Sequence, residues 1–401
     1  MEIAQLLADV VYFTGFIVHA TFLLLGVPVI HATFGPPVNG WSLAQHLMIR
    51  WIRAGNTSLK IHQQRLMVRL GGWLRSRGLL VAHDTELPAF WLGDTPRTIR
   101  SRLARGEVDL LIVYIHGGGF CCGSPLLQTQ SVNTWRTQLE QQGIRVAVAL
   151  LEYELAPEVL YPQPIHRICQ TIRELRAIPG VNRAKMVLAG DSAGGNLAIS
   201  TVQHLQPTEQ PNALVLISPW VRLYPSSDAI CRNISTDIIT PRNLLTWANT
   251  YMGVACYTAP NTIEVVRPAI APPASLGATL PNEATALLAS SAGMEPTGVS
   301  DIDTCSAVAA VSTAMASQQA LVPTCIPPSL IVVGSRELFV EDVVAYACML
   351  EEAGTHVSIL VEPGAVHNYA VEPTLAGSDA YQRAVGNITD YMRKVVHNKC
   401  G

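Results

Sequence analysis

"KMVLAGDSAGGNLAIS", residues 185–200, joins two kinds of periodicity across one short turn. Lys185 to Gly190 is a near-continuous apolar run of the strand type, and the residues after Asn196 follow a helical pattern. Between them stands Gly190-Asp191-Ser192-Ala193-Gly194, a G-x-S-x-G pattern in a strand–turn–helix setting. A serine there sits on a strained turn, and the flanking glycines let neighbouring backbone pass without a Cβ clash. Its hydroxyl then stands at a helix N-terminus, clear of the sheet edge. The pattern alone is common and an ordinary turn would satisfy it. The setting turns it into a candidate nucleophile.

Working outward, short apolar runs alternate with amphipathic stretches from about residue 88. The runs are "DLLIVYI" with its core at 110–115, "RVAVALL" (145–151), "KMVLAG" (185–190), "ALVLIS" (213–218), "SLIVVG" (329–334) and "VSILVE" (357–362). Near-continuous Val, Ile and Leu is expected of parallel strands covered by helices on both faces. Helical patterns such as 166–178 and 379–396 lie between them. This alternation predicts a doubly wound α/β sheet. Residues 256–327, rich in Ala, Pro, Ser and Thr, break the pattern and read as an insertion.

The run at 110–115 ends in "YIHGGGF", Tyr114 to Phe120. Three successive glycines cost backbone entropy, so the chain there needs φ > 0 or a bare backbone close to another group. Attack of a serine on an ester creates an oxyanion, which preorganised N–H donors must hold. Gly117, Gly118 and Gly119 are the candidate donors, together with Ala193 after the serine. His116 is expected to brace the loop. A serine also needs a base, and the base an orienting carboxylate, in the chain order Ser, acid, His. Glu337 follows the strand at 329–334, with Glu341 and Asp342 as nearby alternatives, and His367 follows the strand at 357–362.

Composition narrows the other options. The 401 residues carry a net charge of −3, which gives no support to a nucleic-acid partner. Nine cysteines lie scattered without CxxC spacing, so neither a disulfide scaffold nor a metal site is expected, and no cofactor is called for. Val10 to Ile30 contains no Asp, Glu, Lys or Arg over 21 residues, enough to cross a hydrocarbon core, with a buried helix as the alternative. A cleavable leader is not expected, because a basic n-region is lacking and the apolar run is too long. Between Trp41 and Leu80 stand seven basic residues (Arg50, Arg53, Lys60, Arg65, Arg69, Arg75 and Arg77), no acidic one, and three interleaved tryptophans. A solvated basic face would read this way, as would a helix on an anionic membrane surface, for example the endoplasmic reticulum. The charge asymmetry favours a cytosolic body. Glycosylation acceptors at Asn56, Asn233 and Asn387 favour a lumenal one.

The chain resembles the hormone-sensitive-lipase-like α/β-hydrolases, including esterases of the fungal steryl acetyl hydrolase type. The resemblance rests on "HGGGF", "GDSAGGN", "EYELAPE" (152–158), "YPQP" (161–164), "SPWV" (218–221), "GSRELFVED" (334–342) and "VHNY" (366–369). It covers roughly residues 88–397 and implies Ser192 as nucleophile, His367 as base and Glu337 as acid. It further implies a basic amphipathic region at 35–87 contributing to a cap, with the catalytic domain from 88 to 401 and a hydrophobic segment at 1–34 before it. Many members have Asp where Glu337 stands. The implied activity is a serine esterase or deacetylase acting on a small hydrophobic ester of a sterol or a secondary metabolite. Lactone opening and acyl transfer are the alternatives within that chemistry, and a ligand-binding protein on a hydrolase scaffold is the alternative outside it.

Overall fold

In a computed structural model describing residues 2–224, 232–254 and 326–398, the six apolar runs lie side by side as one parallel block. In chain order the elements are α1 (Glu2–Phe34), α2 (Leu43–Ser58), α3 (Ile61–Ser76), β1 (Val81–His83), β2 (Ala89–Leu92), α4 (Pro96–Ala104), β3 (Leu110–Ile115), α5 (Thr129–Gln141), β4 (Val146–Leu151), α6 (Gln163–Ala177), β5 (Lys185–Asp191), α7 (Ala193–His204) and β6 (Ala213–Ile217). They continue with α8 (Pro241–Met252), β7 (Ser329–Gly334), α9 (Val340–Glu352), β8 (Val357–Glu362), α10 (Pro373–Ala376) and α11 (Ser378–Val396). The sheet order is β1-β2-β4-β3-β5-β6-β7-β8. Only β2 runs against the other strands, in antiparallel pairing with β1 on one side and β4 on the other. The insertion expected at 256–327 lies outside the described residues, apart from Ile326 and Pro327.

Alternation along β3 shows how the layers form. Leu111, Val113 and Ile115 join a core with Ile168 and Ile172 of α6, Leu197 of α7 and Val343 of α9. Leu110, Ile112 and Tyr114 face a second core with Val132 and Trp135 of α5 and Val385 and Ile388 of α11. Both faces are therefore covered, which is why the strand reads as an unbroken apolar run.

The edge strands modify the sequence reading. β1 begins at Val81, so the segment 35–87 already contains a strand of the sheet. At three and four residues, β1 and β2 are too short to leave a periodic signal.

The basic stretch divides between α2 and α3, and much of its charge turns inward. Arg53 Nη1 donates to the carbonyls of Asp237 and Ile239 at 2.8 and 3.2 Å. Arg65 donates to Cys121 O and Ala156 O, both at 2.6 Å, and pairs with Glu158. Lys60 pairs with Asp9, and Arg75 with Glu372. Among the described residues, Arg50, Arg69 and Arg77 form no ion pair, so the positive surface is smaller than the sequence count suggests. Two of the three glycosylation acceptors also face inward: Asn56 Nδ2 donates to Ile238 O, and Asn233, 4 % exposed, donates to Ser335 O and Glu337 O. A glycan on Asn233 would break both of those bonds.

The tightest point in the fold is the start of α7. A Cβ on Gly194 would lie 2.1 Å from Ile115 O and 2.6 Å from His116 O, both backbone atoms. Only a residue without a side chain lets α7 approach β3 this closely. Gly194→Ala should therefore destabilise the domain by about 3 kcal/mol or more, as overpacking against rigid backbone does, and the shift in a urea unfolding midpoint measures it.

Candidate active site

Ser192 stands between β5 and α7 at φ 53°, ψ −120°, a conformation that an L-residue adopts only when its surroundings enforce it. Its N–H donates to Ile217 O at 2.9 Å, and its carbonyl accepts from Trp220 N at 3.0 Å. These bonds pin the serine between the ends of β5 and β6.

Asp191, the residue before it, is 1 % exposed and carries a carboxylate with three donors. Tyr114 Oη donates to Oδ1 at 2.7 Å, Gly117 N to Oδ1 at 2.9 Å and Asn368 Nδ2 to Oδ2 at 2.8 Å. Burial raises its pKa, while the Tyr114 and Gly117 hydrogen bonds pull it back down. Asn368 follows His367 in sequence, so the residues flanking Ser192 and His367 are in direct contact. The serine and the imidazole therefore rise from adjoining backbone.

This geometry corrects one expected donor. The Gly117 N–H serves Asp191, so Gly117 is not an oxyanion donor. It is glycine for a steric reason, since its Cβ would lie 2.4 Å from Asp191 Oδ2. Gly118 and Gly119 have φ of 115° and 60°, and a Cβ on Gly119 would lie 2.6 Å from the Trp247 ring. Among the described residues, the N–H groups of Gly118, Gly119 and Ala193 donate to no protein acceptor. His116 holds the loop from behind: its Nδ1 lies 2.8 Å from Gly117 O, and its ring stacks on Tyr153 at 4.3 Å. Burial lowers its pKa to about 4, with the Gly117 bond opposing, so the ring is neutral near pH 7.

Glu337 is fully buried, and its Oε2 lies 3.0 Å from His367 Nδ1. Its Oε1 accepts from Ser218 Oγ at 2.9 Å and from Gly334 N. The alternatives turn elsewhere: Asp342 lies 3.6 Å from Arg222, and Glu341 pairs with Arg232. Burial would lower the pKa of His367, but the hydrogen bond and charge of Glu337, with the charges of Asp237 and Asp191, outweigh it and raise the value.

Asp237, Asn233 and Ser218 belong to this assembly, although no motif marks them as part of it. Asp237 Oδ1 accepts from Ile238 N at 2.7 Å and from His367 N at 3.3 Å, while Oδ2 accepts from Leu338 N at 2.7 Å. One carboxylate thus fixes the backbone of the imidazole residue and of the residue after Glu337. Burial pushes its pKa up to about 6, with His367 pulling down and Glu337 adding to the rise. Asn233 holds the Glu337 carbonyl at 3.0 Å, and Ser218 Oγ bridges Glu337 to Asn368 N at 3.0 Å. All three residues lie where no periodicity marks them, and the only signal at Asn233 was its sequon. The whole constellation can deprotonate a serine hydroxyl and hold the charge that follows; among the described residues, no cluster of three or more His, Cys, Asp or Glu side chains could hold a metal ion.

Comparison with known proteins agrees with this geometry. A family model described as the alpha/beta hydrolase fold matches residues 112–282. An esterase of Acinetobacter venetianus is 31% identical over 140 residues, 34% of this chain and 44% of that protein. The arylacetamide deacetylase of Oryctolagus cuniculus is 29% identical over 136 residues, 33% of this chain and 32% of that protein. The matched segment therefore spans less than half the length of either relative. A solved esterase from the bacterial hormone-sensitive lipase family superposes with a TM-score of 0.60 at 20% identity, covering 89% of this chain and 99% of that one.

Two substitutions test the acid–base arrangement. Glu337→Gln should lower kcat by about 10³–10⁴-fold, because His367 loses the partner that orients it and stabilises its cation. Since Glu337 raises the pKa of His367, the acidic limb of the kcat/KM profile should also move to lower pH. Asp237→Asn places an amide against backbone N–H donors. It should cost about 10²-fold in kcat through misplacement of His367, with a limb shift in the same direction, read from the same pH profiles.

Proposed function

We propose that this chain, an α/β-hydrolase related to the hormone-sensitive-lipase group, is a serine carboxylesterase or deacetylase working through an acyl-enzyme. The observation that carries the reading is the buried Glu337–His367 pair at 3.0 Å, whose neighbour Asn368 bonds Asp191, the residue before a serine in a strained strand–helix turn. Esterases and a deacetylase among its relatives support the same reaction class.

Ser192 Oγ attacks the ester carbonyl while its proton passes to His367 Nε2. Nδ1–H of the imidazolium stays hydrogen-bonded to Glu337 Oε2, whose charge stabilises the cation. The carbonyl oxygen takes the negative charge and accepts from the Gly118, Gly119 and Ala193 N–H groups. Collapse of this intermediate breaks the C–O bond, and His367 returns the proton to the departing alcohol. A water molecule then repeats the sequence on the acyl group and frees Ser192.

The alcohol is a bulky hydrophobic one, of the sterol or secondary-metabolite kind. Support comes from the resemblance in "HGGGF" and "GDSAGGN" and from the apolar helix α1, which would bring the enzyme to lipid-dissolved esters. Helices α2 and α3 form part of a cap, since Arg53, Asn56 and Arg65 fasten them to loop carbonyls at 237–239, Cys121 and Ala156. The segment 1–34 attaches the protein to a membrane.

Ser192→Ala should abolish labelling by a fluorophosphonate probe and lower ester turnover by about 10⁶-fold. Screening the wild type against acetylated sterols and metabolites then identifies the alcohol. Turnover like wild type in the mutant would sink the serine mechanism. A wild-type protein that binds esters and neither labels nor turns over would be a binding protein.

A further inference from the structure

Helix α1 is long and apolar enough to cross a bilayer: Asp9 to Phe34 spans 26 residues with mean hydropathy 2.0. Its contacts with the body nevertheless run along its whole length. At one end Gln63 Nε2 donates to Asp9 O at 3.0 Å, and Lys60 Nζ lies 3.5 Å from the Asp9 carboxylate. Further along, buried Phe16 packs with Ala54 and Leu59, its ring 6.0 Å from that of Trp51. At the other end His31 Nδ1 lies 3.3 Å from His46 Nδ1. At 1.5 Å per residue, Asp9 to His31 covers about 33 Å, the full thickness of a hydrocarbon core.

Wherever α1 goes, α2 therefore goes beside it. A cleft of about 310 Å³ between them is lined by Phe22, Val27 and Ile30 from α1 and by His46 and Arg50 from α2. Among the described residues Arg50 has no ion pair, and it stands beside the middle of the apolar span. If α1 crossed a bilayer with these contacts intact, Arg50 would sit inside the hydrocarbon core, where unpaired charge is costly. The opposite face of α1 is open: Val11, Val18, Leu25 and Val29 are all exposed. Helix α3, joined to α1 at Asp9, carries a second open row, Leu66, Leu70, Trp73 and Leu74, spaced for one helix face. Arg77 lies over the Trp73 ring at 5.0 Å, and Arg69 is exposed nearby. Apolar rows edged by tryptophan and arginine suit the boundary between anionic headgroups and acyl chains.

We propose that α1 lies in the plane of a membrane, its open face in one leaflet and α2 covering it on the water side. The inference rests on the membrane attachment proposed above and adds its geometry: the protein rests on one leaflet instead of crossing the bilayer.

The test uses the full-length chain with an epitope at each end, in sealed microsomes treated with protease. In-plane seating requires both epitopes to share one fate, digested together or protected together until detergent is added. Opposite fates overturn it and leave membrane attachment standing. Recovery in the soluble fraction at low salt overturns attachment as well. Separately, Leu25→Glu and Val29→Glu should each weaken binding to phosphatidylcholine–phosphatidylserine vesicles by about tenfold or more, with turnover of a water-soluble ester unchanged. Unaltered vesicle binding in both variants would overturn the seating. Loss of ester turnover by the wild type would count against the hydrolase reading alone.

Discussion

Everything at the site hangs on the carboxylate of Asp191. A buried carboxylate is tolerated only where donors replace its water, and the three donors here come from β3, from the loop after it and from the loop after β8. Each bond fixes one loop relative to the serine turn. Gly117 must present its N–H to Oδ1 with nothing on its Cα, and the chain then runs through two positive-φ glycines whose N–H groups have no acceptor among the described residues. Asn368 is drawn in from the other side at φ 63°, which carries His367 with it. The glycine loop and the His367 imidazole, the proposed oxyanion donors and the proposed base, are thus placed by one carboxylate that takes part in neither proposed step.

The acid–base half is built on a different balance. Glu337 has no solvent, so its lone pairs are divided: Ser218 and Gly334 take Oε1, which leaves Oε2 for His367. Burial disfavours a charged imidazole, and three neighbouring carboxylates favour it. The carboxylates prevail, so the imidazolium that the proposed mechanism calls for is stabilised in advance, with little reorganisation when the proton arrives. A solvated acid at position 337 would lose much of this effect, because water screens the same charges far more strongly.

How much of this could be read from the residues depends on whether the feature repeats. The strands at 110–115 and 329–334 are legible to the residue, because burial on both faces demands unbroken apolar runs, and the half-buried edge strand at 357–362 matches its apolar run as well. Ser192, Glu337 and His367 are legible by order and by position after strands, and the structure brings the last two into contact. The supporting shell is not legible. Asp237 and Ser218 act through single hydrogen bonds to backbone or to each other's partners, and such bonds leave no period in a sequence. Gly117 was read for its N–H, but its bare Cα and its bond to Asp191 explain it better. The seven basic residues looked like one positive surface until Arg53 and Arg65 proved to cap carbonyls of the catalytic body.

Those inward arginines join the two ends of the molecule. Arg53 and Asn56 on α2 hold the carbonyls of Asp237, Ile238 and Ile239, and the Asp237 carboxylate holds the N–H of His367. Helix α1 packs along the other side of α2 through Phe16 and His31. From the apolar outer face of α1 to the imidazole, the path therefore passes through one helix and one buried carboxylate. A shift of α2 relative to the sheet would reach His367 through hydrogen bonds of 2.7–3.3 Å. The N-terminal helices are thus wired to the chemistry as well as to the surface, and the alignment of His367 depends on how α2 is seated.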